Sequence, residues 1–108
     1  MKKMSPSISH EAEQIKEFQK NPKRAMHYLN ACVQVAFEEN DPELILSALA
    51  VLAKSYGMTK LAKKTKLQRE SLHRMLSKTG NPEWHSLFHI FKALKIRMKL
   101  ELTVPISA

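Results

Sequence analysis

The chain has 108 residues, 44% hydrophobic and 26% charged, which suits one domain with a buried core and a water-compatible surface. Two glycines are too few for a phosphate-cradling loop or a dinucleotide turn, and the single cysteine, Cys32, cannot close an internal disulfide. The net charge of +8 is uneven: residues 1–53 hold six Lys/Arg against seven Asp/Glu, and residues 54–108 hold twelve against three. An excess confined to one half is expected where that half faces a polyanion and the other does not. No apolar run approaches the ~20 residues that cross a bilayer, and Met1-Lys2-Lys3 leads into a polar stretch and not a signal-peptide core. Together with a lone cysteine, this predicts a cytoplasmic protein with no membrane partner.

In chain order, residues 1–8 read as a flexible tail, and residues 9–40 as an N-terminal helical extension. Ser9 is a weak helix start, with Glu11 and Glu13 favourably placed against the helix dipole. Three pairs, Asn21-Pro22, Asp41-Pro42 and Asn81-Pro82, each fit a capping side chain followed by proline at the first helical position. After the first pair, Met26, Leu29, Val33, Ala36 and Phe37 recur at helical spacing. That face either adds a packing layer or meets another protein.

After the second pair, Leu44, Ile45, Ala48, Leu49, Leu52, Ala53 and Tyr56 form a stripe wide enough to be buried on more than one side. It is the expected centre of the core, and it stops at Gly57, a residue suited to a left-handed helix terminus. Cys32 and the six methionines read as packing residues. After the third pair, Trp84, Leu87, Phe88, Phe91 and Leu94 make another helical face, closing a core region over 41–95.

The period then changes from helix to strand. Ile96, Met98, Leu100, Leu102 and Val104 alternate with Arg97, Lys99, Glu101 and Thr103 ahead of Pro105. A lone strand needs a ladder partner, so residues 96–104 are expected to pair with another chain. A symmetric copy would make these five apolar residues the dimerisation surface of a homodimer; the sheet edge of a different protein is the alternative, and a solvated tail the plainest one.

The chemistry sits between these elements. Met58 to Ser77 matches a helix-turn-helix, with Leu61 and Ala62 inside the first helix, Leu67 plugging the turn, and Leu72, Met75 and Leu76 anchoring the second. Lys54 to Lys78 carries eight basic residues and one acid, so motif and charge coincide. Gln68, Arg69 and His73 are the expected base readers, since glutamine and arginine match adenine and guanine edges in two hydrogen bonds; phosphate contact or plain solvent exposure is the alternative, above all for His73. Glu70 either accepts from cytosine or pairs with Arg74 one turn on, the latter being preferred. Thr59 and the helix end it occupies could hold a phosphate, or the hydroxyl could simply cap. Lys60, Lys63, Arg74 and Lys78 would supply phosphate attraction, and Ser71 shares the exposed face. Lys66 occupies the usual glycine place of the turn, costing on the order of 1 kcal/mol if its backbone is left-handed; a slightly reshaped turn that shifts the second helix is the alternative.

No catalytic constellation accompanies this motif: Ser71 and His73 lack an elbow, an oxyanion glycine and an orienting acid. His85 and His89 have metal-like spacing but no third ligand, and read as boundary residues. Neither an enzyme, a metal nor a cofactor is expected.

The elements Tyr28-Leu29-Asn30, Asp41-Pro42, Gly57-Met58-Thr59, Leu61-Ala62, Arg69-Glu70-Ser71-Leu72, Gly80-Asn81-Pro82 and Ala93-Leu94 resemble the HigA-type addiction-module antidote proteins. The resemblance runs from Phe18 to Val104, with the Gly57 and Gly80 elements its most specific parts. Lys66 and His73 depart from it, replacing the family's usual glycine and tyrosine. It implies an all-α, lambda-repressor-like (XRE/Cro-like) helix-turn-helix bundle of about five helices, with one C-terminal strand paired across a dimer. It also implies an antitoxin that neutralises a cognate RelE/HigB-type toxin and, as a homodimer on double-stranded operator DNA, represses its own operon. The alternatives are a stand-alone prophage-type repressor without a toxin, and a toxin-binding inhibitor without DNA binding.

Overall fold

The broad apolar stripe after Asp41 organises the molecule. It forms α3 (Glu43–Tyr56), in which Ala48, Leu49, Val51, Leu52 and Ala53 are all buried. A helix flanked by neighbours on several sides must be apolar on most of its circumference, and this one is. The structure, a computed structural model, describes residues 8–77 and 79–107. Six helices occur among the described residues, one more than the resemblance implies: α1 (Ile8–Lys20), α2 (Pro22–Glu39), α3, α4 (Met58–Thr65), α5 (Arg69–Met75) and α6 (Trp84–Ala93). Most of the tail expected over residues 1–8 lies outside the described residues.

The N-terminal helices form a layer on α3. Both α1 and α2 pack against it and against each other, with Phe18 and Leu29 buried and the Phe18 and Tyr28 rings 5.3 Å apart. Glu11 of α1 ties down Lys54 of α3 through two bonds of 3.1 and 3.2 Å. Of the predicted α2 face, Leu29 and Ala36 are buried and Val33 is half-buried, whereas Phe37 stays 79% exposed.

The Asx-Pro signals find the helices but misplace their chemistry. Pro22 is at the start of α2 as expected, yet the Asn21 side chain makes no capping bond; its backbone carbonyl instead accepts from the Arg24 N–H at 3.0 Å. The helix after Asp41 begins at Glu43, and α6 begins at Trp84, two residues beyond Pro82, with Glu83 in the capping position. Helix α1 starts at Ile8, one residue ahead of Ser9.

The face of α6 is also rotated from the expected one. Ile90, outside the predicted stripe, is fully buried, and Leu87 and Leu94 are half-buried. Trp84 and Phe88 point outward, 56% and 47% exposed. Residues 87, 90 and 94 lie on one stripe and 84, 88 and 91 on the next, so a pattern containing both cannot say which turns inward.

The C-terminal strand does not form in the single chain. The Ile96 N–H closes the end of α6 onto the Phe91 carbonyl at 2.8 Å, after a left-handed Lys95. Residues 97–104 then run exposed, bend at Thr103–Val104, and make no backbone hydrogen bond to another described residue. Without a second strand the alternating pattern has no ladder to enter.

Candidate nucleic-acid interface

The site begins where α3 stops. Gly57 donates its N–H to the Ala53 carbonyl (2.9 Å) and accepts the Leu61 N–H (2.8 Å), so one residue ends α3 and starts α4. Its φ of 113° and ψ of 115° are open to glycine and strained for other residues. The chain turns by 99° between the two helices. Met58 and Leu61 of α4 are buried against α3, α5 and α6, leaving Thr59, Lys60, Lys63 and Lys64 exposed.

The connection to α5 is tight. Thr65 donates from Oγ1 to the Leu61 carbonyl at 2.8 Å and accepts the Leu67 N–H at 3.3 Å. Between them Lys66 adopts φ 61° and ψ 26°, the left-handed one of the two possibilities that the sequence left open for this position. The chain accepts the cost of a Cβ there. Gln68 precedes α5 in extended conformation, and its carbonyl accepts the Leu72 N–H at 3.0 Å. Leu72 and Leu76 are buried, which turns Arg69, Glu70, His73 and Arg74 outward; Ser71 is half-buried.

An open groove of about 680 Å³ lies where these elements meet, lined by Lys54 from α3, Thr59, Lys60 and Lys63 from α4, and Arg69 and His73 from α5. Five of the predicted site residues are thus brought together. Gln68, Glu70, Ser71 and Arg74 do not line it, and Lys78 lies outside the described residues. Lys60 Nζ stands 4.4 Å from the centre of the Tyr56 ring, a cation–π arrangement that holds the ammonium near the groove. The expected Glu70–Arg74 pair is replaced: Arg74 Nη2 donates to Ser71 Oγ at 3.4 Å.

Two residues that the sequence reading named without a role in the site acquire one here. Lys54 closes the groove from the end of α3, and its place in the Lys54–Lys78 basic run was the available signal. Gly80 lets the chain after α5 pass close to it: a Cβ there would collide with the Met75 carbonyl oxygen and come within 2.7 Å of the Arg74 carbonyl oxygen. Nothing in the sequence announces that approach. His85 and His89 are exposed on α6, and no group of three or more His, Cys, Asp or Glu suited to a metal occurs among the described residues. Tyr28 lies away from the groove between α1 and α2; burial first, and the neighbouring Cys32 second, raise its phenol above the usual range. No single helix among the described residues is long and apolar enough to cross a membrane.

Comparison places this small helical domain: residues 11–102 match the family described as "probable addiction module antidote protein". The chain belongs to that family, whose members are antitoxins of toxin–antitoxin modules, which implies a cognate toxin as partner. Addiction-module antidotes are generally non-enzymatic regulators. An uncharacterised protein of Haemophilus influenzae is 36% identical over 74 residues, covering 68% of this chain and 72% of that protein. No solved structure matches.

Proposed function

We propose that this antitoxin is of the HigA type: it neutralises a RelE/HigB-type toxin and represses its own operon in the bacterial cytoplasm, with α4 and α5 acting as a lambda-repressor-like DNA-binding helix-turn-helix. The observation that carries this reading is the coincidence of cationic side chains from two helices, Lys60, Lys63 and Arg69, with His73, around one groove whose third wall holds Lys54 already paired with Glu11. Burial of Leu61 and Leu72 fixes which side of each helix those groups occupy. Helix α5 would lie in the major groove, with Gln68 and Arg69 at its leading end reaching base edges and His73 one turn behind. Lys60, Lys63 and Thr59 on α4, with Arg74 on α5, would grip flanking phosphates. Glu70 and Ser71 would share the duplex-facing surface. A homodimer joined through Ile96, Met98, Leu100, Leu102 and Val104 would present two copies of α5 to a two-fold operator.

Gel shifts on the DNA upstream of the gene, at several salt concentrations, test this. Affinity should fall steeply with salt while preference over random DNA persists. Arg69→Ala should cost about 1–3 kcal/mol of discrimination at one position, whereas Lys60→Ala should weaken all sequences alike and reduce the salt slope by about one. Equal behaviour of the two variants overturns the assignment of roles; indifference to salt overturns DNA binding itself.

A further inference from the structure

The segment after α6 exposes more apolar surface than any other part of the described chain. Met98, Leu100, Leu102 and Val104 are 55%, 85%, 73% and 66% exposed, and the backbone that carries them is unpaired over 97–104. An unpaired segment whose sequence alternates apolar and polar residues is a template for another strand. Support lies alongside it: Met98 and Leu100 share an apolar groove of about 360 Å³ with Phe37 of α2 and Trp84 of α6.

What fits this segment is written in its own charge order. Place a two-fold axis at Leu100 and run a second copy antiparallel. Leu100 then faces Leu100 of the second copy, Met98 faces its Leu102, and Ile96 its Val104. On the other face Lys99 meets Glu101 of the second copy, twice over by symmetry, and Arg97 meets its Thr103. Every apolar side chain has an apolar partner and every acid a base. Moving the axis to residue 99 sets lysine against lysine, moving it to residue 101 sets glutamate against glutamate, and a half-step shift puts apolar against charged or polar throughout.

We infer that a second copy of this chain pairs antiparallel with residues 96–104 about a two-fold axis at Leu100, held in register by reciprocal Lys99–Glu101 ion pairs. This rests on the dimeric reading above and supplies its register. Because the chain bends at Thr103–Val104, the central pairs from 98 to 102 carry the alignment. A two-stranded ribbon of that length is marginal alone in water, so its apolar face is completed by the groove beneath Phe37 and Trp84.

The test uses the full chain with Cys32→Ala as background. Leu100→Cys should form a disulfide-linked dimer with oxidised glutathione. Met98→Cys alone should not, because the two residues 98 would lie about 13 Å apart along the ribbon at ~3.3 Å per residue, beyond disulfide reach. Mixing the Met98→Cys and Leu102→Cys chains should crosslink them. In sedimentation equilibrium, Lys99→Glu or Glu101→Lys alone should weaken self-association about tenfold, and the two together should restore it. These positions are exposed, so the fold survives the changes. A monomeric wild type, dimerisation only after toxin is added, or a double variant no better than the singles each overturns the inference. Gel shifts on the same samples separate the two readings: a chain that binds its upstream DNA while ignoring the charge swaps loses the register and keeps the DNA-binding function.

Discussion

Helices α5 and α6 are built alike on the inside and differently on the outside. Each is short, and each is held by one fully buried aliphatic residue, Leu72 in α5 and Ile90 in α6. The outward face of α5 carries Arg69, Glu70, His73 and Arg74; that of α6 carries Trp84 and Phe88, with Lys92 Nζ 5.8 Å from the Phe88 ring centre. The inner residues answer to the core, and the outer ones are free of that constraint. Guanidinium and imidazole groups suit phosphates and base edges, whereas exposed aromatic rings suit another apolar surface. One fold therefore exposes two different chemistries on consecutive helices, a polar and charged face on α5 and an aromatic one on α6.

The largest effects should come from the shared inner anchors. Leu72→Ala and Ile90→Ala should each lower stability in urea unfolding by about 2–5 kcal/mol, because each leaves a cavity in a closed core. Trp84→Ala, though it removes a larger side chain, should cost under about 1.5 kcal/mol, since that ring is 56% exposed. A Trp84→Ala cost matching that of Ile90→Ala would erase the distinction between the inner and outer faces of α6.

Next comes the passage between the two helices. Gly80→Ala should destabilise by about 1–3 kcal/mol, because the added methyl meets backbone carbonyls of α5 that cannot step aside as a side chain would. If thermal unfolding shows no loss, the link after α5 is looser than its geometry indicates. The smallest effect lies at the turn ahead of α5. Lys66→Gly should stabilise by about 0.5–1 kcal/mol by relieving a left-handed non-glycine residue. The same variant also loses a charge, so Lys66→Ala in the same urea titration serves as control. Only the glycine should gain.

Much of this was legible in the order of residues. The apolar run from Leu44 to Tyr56 named the central helix, Gly57 named its end, and the residues that anchor α5 and its C-terminal end followed from the spacing of Leu72 and Leu76. Exposure of Arg69 and His73 followed from the same spacing. Less legible were the caps, because an Asn-Pro or Asp-Pro pair signals a chain reversal and leaves open how many residues separate it from the first helical turn. The inner stripe of α6 was hidden for another reason: Trp84 and Phe88 are as hydrophobic as the core residues, and hydrophobicity alone does not distinguish a core from an interface. Lys54 joined the groove only because α3 and α4 meet at 99°, an angle that no local pattern encodes.

Local periodicity, charge and turn chemistry determined the helices, the basic half of the chain and the end of the central helix at Gly57, because each depends on residues a few positions apart. The groove that unites Lys54, Lys60, Lys63, Arg69 and His73, the side of α6 that turns inward, and the close pass at Gly80 were decided only by packing, because they arise where elements distant in the chain are forced to share space.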